Sequence, residues 1–244
     1  MRLTKKIADF VFPQKLYCNC CGKYINQTRT YGLCDHCIRH MSFKITDLKS
    51  SENNKYFNAA AAAMGYGLYE RQLIFGLKYN GHTHLAREIA DILYDALISQ
   101  MAEKRESPWL LDDFIVPVPI HKQKLKVRGF NQTEKIGEHL SKRTGIPSFG
   151  NALVRTRTTE AQRGLSASER ARNMKDAFEV NPKAVSMIKG KNILLLDDIY
   201  TTGATAVSCA ETLLEAGAAR VDFLALLSAK NRQHEISTCN EEQE

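Results

Sequence analysis

Apolar residues recur at helical spacing along residues 69–104. They lie three, four, seven and eight positions apart, which places them on one face of a helix. This face holds Leu85, Ile89, Ile92, Leu93, Ala96 and Leu97. Gly81 separates this helix from a shorter one before it. A second helix is predicted from Asn131, a good N-cap with Glu134 three residues later, to the C-cap Gly145.

Short apolar runs alternate with the helical segments. These runs are FIVPVPIHK, NALVRT, NILLLDD and VDFLALLSA, and ATAVSCAETLLEAGA between the last two reads as a helix that ends near Gly217. Pro117 and Pro119 predict that the first strand ends early. NILLLDD is apolar until its two aspartates, as central parallel strands are. The alternation predicts an α/β fold with a doubly wound, mostly parallel sheet.

The chain of 244 residues allows one medium α/β domain and a smaller module. A polar stretch, ITDLKSSENNKYFN, separates a cysteine-rich start from the helical and strand pattern. We predict an N-terminal module at residues 1–48, a main domain at 56–229 and a flexible tail at 230–244.

Five of the seven cysteines lie between Cys18 and Cys37. Pairing Cys18 with Cys21 and Cys34 with Cys37 gives C-x2-C-x12-C-x2-C, which predicts a structural zinc site with four thiolates. Cys20 is interpreted as a spectator. A disulfide staple is the alternative, and it is disfavoured in a chain without a secretory signal.

The charge of +7 is unevenly distributed. Residues 1–50 carry a net charge of +6 and residues 121–175 carry +9, which predicts two surfaces that meet anions. Tyrosines lie among the basic residues of the cysteine module, which would suit single-stranded nucleic acid. A structural clamp on the main domain is an equally good reading. No apolar run reaches the ~20 residues of a membrane span, and a cytoplasmic location is predicted.

The candidate chemistry lies in ILLLDDIYTTGAT, residues 193–205. Asp197 and Asp198 end the most buried predicted strand, and ligands bind at the carboxyl ends of such strands. The following turn leads into a helix, whose free N–H groups favour a phosphate. The acids must then face sugar hydroxyls or Mg²⁺. Together these features predict a phosphorylated ribose. A Walker A loop would need a lysine that is missing here, and an acidic helix cap would explain only one aspartate.

ILLLDDIYTTGAT resembles the signature of type I phosphoribosyltransferases. Nearly the whole chain further resembles the ComF family, the competence proteins that pair a zinc ribbon with a phosphoribosyltransferase domain. The matching pieces are the cysteine ribbon, LKYNGHTHLA, VPVPIHKQKLKVRGFNQTEKIGEHL, RTTEAQRGLSASERARNMKDAF and the motif itself.

The resemblance implies a role for each part of the site. Asp197 and Asp198 would contact the ribose hydroxyls of phosphoribosyl pyrophosphate (PRPP) and its Mg²⁺. The 5-phosphate would be held by Thr201, Thr202, Gly203, Ala204 and Thr205. The pyrophosphate side would be formed by Ile120, His121 and Arg128. Residues 157–172 would correspond to the mobile loop that closes over the substrate.

The resemblance leaves three functions open. One is a PRPP-binding accessory of natural transformation that handles incoming single-stranded DNA in the cytoplasm. The second is an active phosphoribosyltransferase that joins an unidentified base or amine to the ribose, with pyrophosphate leaving the anomeric carbon. The third is a purely structural adaptor that uses the cysteine ribbon to dock a helicase-like competence protein.

Overall fold

The computed structural model describes residues 16–25, 30–49, 55–79, 81–104, 111–156 and 177–229. Its helices, after a 3₁₀ turn at Thr30–Gly32, are α1 (Asp35–His40), α2 (Glu70–Tyr79), α3 (Leu85–Lys104), α4 (Lys122–Arg128), α5 (Gln132–Thr144), α6 (Val185–Ile188) and α7 (Ala204–Glu215). Its strands are β1 (Thr46–Asp47), β2 (Ala60–Gly65), β3 (Phe114–Pro117), β4 (Leu153–Arg155), β5 (Phe178–Val180), β6 (Asn192–Tyr200) and β7 (Arg220–Ser228).

Five strands form the main sheet, in the order β1-β2-β7-β6-β3. The four strands from β2 to β3 in this order are parallel, and β1 adds to the edge in the antiparallel direction. Helices α3 and α5 cover one face of the sheet, and α7 covers the other. The predicted α/β class and the mostly parallel sheet are therefore confirmed.

Several predicted elements are confirmed in detail. The apolar face of α3 is buried at Leu85, Ile89 and Leu93. The side chain of Asn131 accepts a hydrogen bond from the Thr133 N–H at the start of α5, and Gly145 ends this helix in the left-handed conformation with φ 82°. Strand β3 ends at Pro117, as the prolines predict.

The structure adds three strands that were not predicted, β1, β2 and β5, and it places the predicted strand β4 in a different sheet. NALVRT forms β4, but β4 pairs with β5 in a separate two-stranded antiparallel sheet and does not join the main sheet. Strand β2 lies within the alanine run and is buried beside β7. The alanine run went unpredicted because it lacks the β-branched and aromatic residues that mark a strand.

The apolar side chains of the cysteine module belong to the main core. Leu33, Cys37 and Met41 pack in one cluster with Leu73 and Ile89. Tyr31 also donates a hydrogen bond to Asp95 Oδ2 on α3, at 2.6 Å. Because they share one core, the folding of the module and of the sheet is coupled. The predicted domain limits at residues 48, 56 and 229 stay predictions.

Among the residues that the structure describes, none of the helices is both long and apolar enough to cross a membrane.

Candidate functional site

The two aspartates near the end of β6 face opposite sides of the sheet. Successive side chains of a strand alternate between faces. Leu195 packs with α7 and Leu196 packs with α5, so the carboxylates that continue this alternation diverge. On the α7 side, the positive charge of Arg155 on β4 acts on the Asp197 carboxylate. On the other side, the Asp198 carboxylate contacts side chains of α2 and α5.

Asp198 is held by two side chains from separate helices. Lys78 Nζ, at the end of α2, lies 2.6 Å from Asp198 Oδ2. Gln132 Nε2, at the start of α5, donates to the same oxygen at 2.8 Å. The residue itself is buried, with 5% of its surface exposed. A buried carboxylate requires this kind of charged and hydrogen-bonded partner.

The environment of Asp197 disfavours its charge. Burial and the neighbouring Asp198 charge raise the pKa of the Asp197 carboxyl to about 7. The Asp198 N–H, which donates to Asp197 Oδ1 at 2.8 Å, and the cations Lys78 and Arg155 partly oppose this rise. A raised pKa of this kind is common where a protein assembles a binding or catalytic site.

The turn after β6 is open and ends at a glycine. Thr201 and Thr202 are exposed, and the Ala204 N–H lies 3.5 Å from Thr202 Oγ1. Gly203 starts α7 with φ 81°. A Cβ on Gly203 would lie 2.5 Å from the hydroxyl oxygen of Tyr200, so both its backbone conformation and the space around it require glycine.

The segment after β3 runs beside the aspartates, because β3 and β6 are parallel neighbours. The Val118 N–H donates to the Leu196 carbonyl at 2.8 Å. The Val118 carbonyl accepts from Asn131 Nδ2 and Thr133 Oγ1, at 3.1 and 2.7 Å. These bonds fasten the loop that carries Ile120 to the start of α5.

Helix α4 follows this loop directly and is wholly on the surface. His121 caps it by accepting the Gln123 N–H on Nδ1, at 3.2 Å. The basic residues of α4 are Lys122, Lys124, Lys126 and Arg128. Arg128 lies over the Tyr79 ring and donates to Gln132, which in turn binds Asp198. The sequence-predicted His121 and Arg128 are thus placed on the same edge of the sheet as the acid pair.

Two partners of Asp198 and one charge that acts on Asp197 were not predicted from the sequence. Lys78 and Gln132 contact Asp198 from distant positions in the chain, and the positive charge of Arg155 on β4 acts on Asp197 electrostatically. The sequence gives one weak signal for Gln132. This residue directly follows the predicted N-cap Asn131, so it lies at the start of a helix that comes after the basic segment. The predicted mobile loop, residues 157–172, lies outside the described residues.

The predicted zinc ligands come together in the cysteine module. The Sγ atoms of Cys18, Cys21, Cys34 and Cys37 all lie within 4.8 Å of one another. The pair Cys21 and Cys34 is 3.7 Å apart, near the ~3.8 Å expected for two thiolates on tetrahedral zinc. The cluster can therefore hold a metal ion such as zinc. The neighbouring Cys20 is not one of these four, and its Sγ lies 3.5 Å from the Tyr69 carbonyl.

The environment of Cys18 favours a thiolate ligand. Burial raises the pKa of its thiol, but the N–H groups of Cys21, Cys34 and Cys20 together lower it, to about 7. The N–H of Cys34 lies 3.3 Å from Cys18 Sγ. N–H bonds to the cluster sulfurs stabilise the deprotonated form that binds metal.

Comparison with known proteins finds similarity to one family and to several relatives. Residues 138–242 match the family described as phosphoribosyl transferase domain, a range that includes β6, the turn and α7. The chain is 33% identical over 154 residues to DNA utilization protein YhgH of Escherichia coli K12. That match covers 63% of this chain and 65% of the relative, a little under two thirds of its length.

Two relatives are named as competence proteins. Competence protein F of Haemophilus influenzae is 27% identical over 215 residues, which cover 87% of this chain and 90% of that protein. Competence protein ComFC of Bacillus subtilis is 35% identical over 105 residues, which cover 43% of this chain and 40% of that protein.

Proposed function

We propose that the chain is a ComF-family competence protein that binds PRPP and acts on single-stranded DNA during natural transformation. The observation that carries the PRPP proposal is the adjacency of two aspartates and a hydroxyl-rich turn where β6 meets α7. Names of relatives that refer to competence and DNA utilization support the DNA role.

The proposal divides the ligand between parts of the site. Thr201, Thr202 and the N–H groups around Gly203 would bind the 5-phosphate, because a helix N-terminus favours negative charge. The acid pair would accept hydrogen bonds from the ribose hydroxyls. The loop at Ile120 and His121, together with Arg128, would face the pyrophosphate. Mg²⁺ bound to the pyrophosphate would neutralise part of its charge.

The alternative is that PRPP is consumed. In that reaction the bond from the anomeric carbon to pyrophosphate breaks, and a bond from the same carbon to an acceptor nitrogen forms. The carboxylates of the acid pair, in their ionised form, would favour the positive charge that develops on the sugar. Pyrophosphate release in the presence of purines, pyrimidines or amines distinguishes this enzyme from a protein that only binds PRPP.

Gly203→Ala tests the PRPP proposal with a matched control. Both Gly203 and Gly145 have positive φ, 81° and 82°, but a Cβ at Gly145 has nothing within 4 Å. Each substitution should cost roughly 1 kcal/mol for the backbone conformation. Only Gly203→Ala should also displace Tyr200 and the turn, and so weaken PRPP binding by tenfold or more, about 1.4 kcal/mol.

Calorimetry with PRPP and Mg²⁺ measures this effect, and urea unfolding gives the stability of each variant. Equal PRPP affinity in Gly203→Ala and Gly145→Ala would remove the turn from the binding site. If the unmodified protein gives no heat with PRPP, the PRPP proposal fails as a whole.

The DNA role is supported by exposed basic and aromatic side chains. Helix α4 presents its lysines to solvent, and Tyr17 and Tyr24 in the cysteine module are 63% and 71% exposed. Cationic groups bind the phosphate backbone, and aromatic faces stack with bases. We extend the proposal to a cytoplasmic location and to a helicase-like competence protein as a partner.

Removing two lysines of α4 should weaken single-stranded DNA binding at low salt. For Lys124→Ala with Lys126→Ala, the slope of log affinity against log salt should shrink by about 1.4, or ~0.7 for each lost phosphate contact. Lys183→Ala with Lys189→Ala removes two exposed charges elsewhere and is the control. Fluorescence anisotropy at several salt concentrations gives both slopes. Equal slopes for the two pairs would exclude α4 as a local DNA surface.

A further inference from the structure

Lys78 has no role in the function described so far, although its ammonium group lies inside the candidate site. Its Nζ is 2.6 Å from Asp198 Oδ2, and the two side chains are only 16% and 7% exposed. This exposure is far below that of a surface ion pair, in which both partners remain in water. The pair is therefore an internal part of the site.

The fold holds Lys78 in this position through α2. The helix buries Leu73, Ile74 and Leu77 in the core, and Lys78 follows in its last turn. Gly76 lets α2 approach α3 closely, because a Cβ there would lie 2.7 Å from Leu85 Cδ1. The packing of α2 in the core thus fixes the position of the Lys78 ammonium group.

Asp198 Oδ2 is already saturated by protein donors. Lys78 contributes a full positive charge, and Gln132 Nε2 adds a hydrogen bond at 2.8 Å. Gln132 is itself positioned by Arg128, whose guanidinium donates to its side-chain oxygen. Hydrogen bonds therefore run from Arg128 on α4 to Gln132 on α5 and on to Asp198 on β6. Lys78 contacts the same carboxylate from α2.

A divalent cation on this oxygen would meet the ammonium group. Mg²⁺ binds carboxylate oxygens at about 2.1 Å, so on Asp198 Oδ2 it would lie no more than ~4.7 Å from Lys78 Nζ. Two cations at that separation in a partly buried site repel each other strongly. Lys78 and a metal ion are thus alternatives at Asp198 Oδ2.

We propose that Lys78 is the built-in cation of the acid pair, so that Asp198 binds its ligand without taking a divalent metal of its own. This inference rests on the proposed function for the identity of the ligand, the hydroxyl groups of a ribose. Any Mg²⁺ in the complex then arrives on the pyrophosphate and is held on the side of Ile120 and His121.

Manganese binding to the free chain tests this inference without PRPP. Electron paramagnetic resonance should detect no Mn²⁺ bound through Asp198 in the unmodified protein. Lys78→Gln keeps a hydrogen-bond donor but removes the charge, and it should raise Mn²⁺ affinity about tenfold or more. Adding Asp198→Asn to Lys78→Gln should abolish this gain in Mn²⁺ affinity. Lys78→Arg keeps the charge, and its Mn²⁺ affinity should equal that of the unmodified protein.

Two outcomes would overturn the inference. One is Mn²⁺ binding by the unmodified protein that is lost in Asp198→Asn, and this comparison is informative even if Lys78→Gln does not fold. The other is unchanged Mn²⁺ affinity in a folded Lys78→Gln variant. Failure of the unmodified protein to bind PRPP would refute the proposed function, but the manganese titration would still decide the role of Lys78.

Discussion

Removing the metal from the cysteine cluster is expected to unfold the N-terminal module and to lower the melting temperature of the whole chain. The module has few apolar residues of its own, and a structural zinc ion contributes about 10–16 kcal/mol of apparent binding free energy in small zinc peptides. Leu33, Cys37 and Met41 pack in the same core as Leu73 and Ile89, so their loss exposes part of the main core.

Cys37→Ser reports this effect, and Cys20→Ser is its matched control. Both cysteines lie in the module, but Cys20 contacts the Tyr69 carbonyl and does not belong to the four-sulfur cluster. If Cys37→Ser lowers the free energy of unfolding by about 5 kcal/mol, the melting temperature should fall by roughly 10–20 °C. Thermal unfolding, with a colorimetric assay for released zinc, measures both quantities.

The expected result for the control is a melting temperature near that of the unmodified protein and one zinc per chain. If Cys37→Ser melts like the unmodified protein, or if a chelator releases no zinc, the cluster does not hold a structural metal. Loss of zinc from Cys20→Ser would instead place Cys20 among the ligands.

The cysteine cluster was predictable because its information is local. Two C-x2-C pairs define a tetrahedral site by spacing alone, and the structure brings all four sulfurs together. The caps of α5 and the position of β6 were predictable for the same reason. Each depends on residues only a few positions apart.

The parts that the sequence did not reveal depend on contacts between distant segments. The residues of β4 have the composition of a strand, but its partner β5 begins at Phe178, 23 residues after β4 ends at Arg155. The local sequence pattern does not indicate which of the two sheets β4 joins. Lys78 and Asp198 are likewise 120 positions apart and meet only because α2 and β6 pack at one edge.

Asp198→Ala is expected to have the largest effect of any single substitution at the acid pair. It leaves the Lys78 ammonium buried without its counter-charge and removes the acceptor of Gln132 Nε2. Breaking a buried ion pair from one side typically costs about 3–5 kcal/mol, and PRPP binding should be lost with it. Urea unfolding and calorimetry with PRPP measure the two losses.

A double substitution separates stability from binding. Lys78→Met with Asp198→Leu replaces both charges by apolar groups, and such replacements are often neutral or stabilising. We therefore expect the double variant to recover most of the stability lost in Asp198→Ala but none of the PRPP binding. If the double variant is as unstable as Asp198→Ala, the ion pair is not what stabilises this edge. If the double variant binds PRPP as tightly as the unmodified protein does, Asp198 does not contact the ligand. Asp197 would then be the only acid of the pair that binds PRPP.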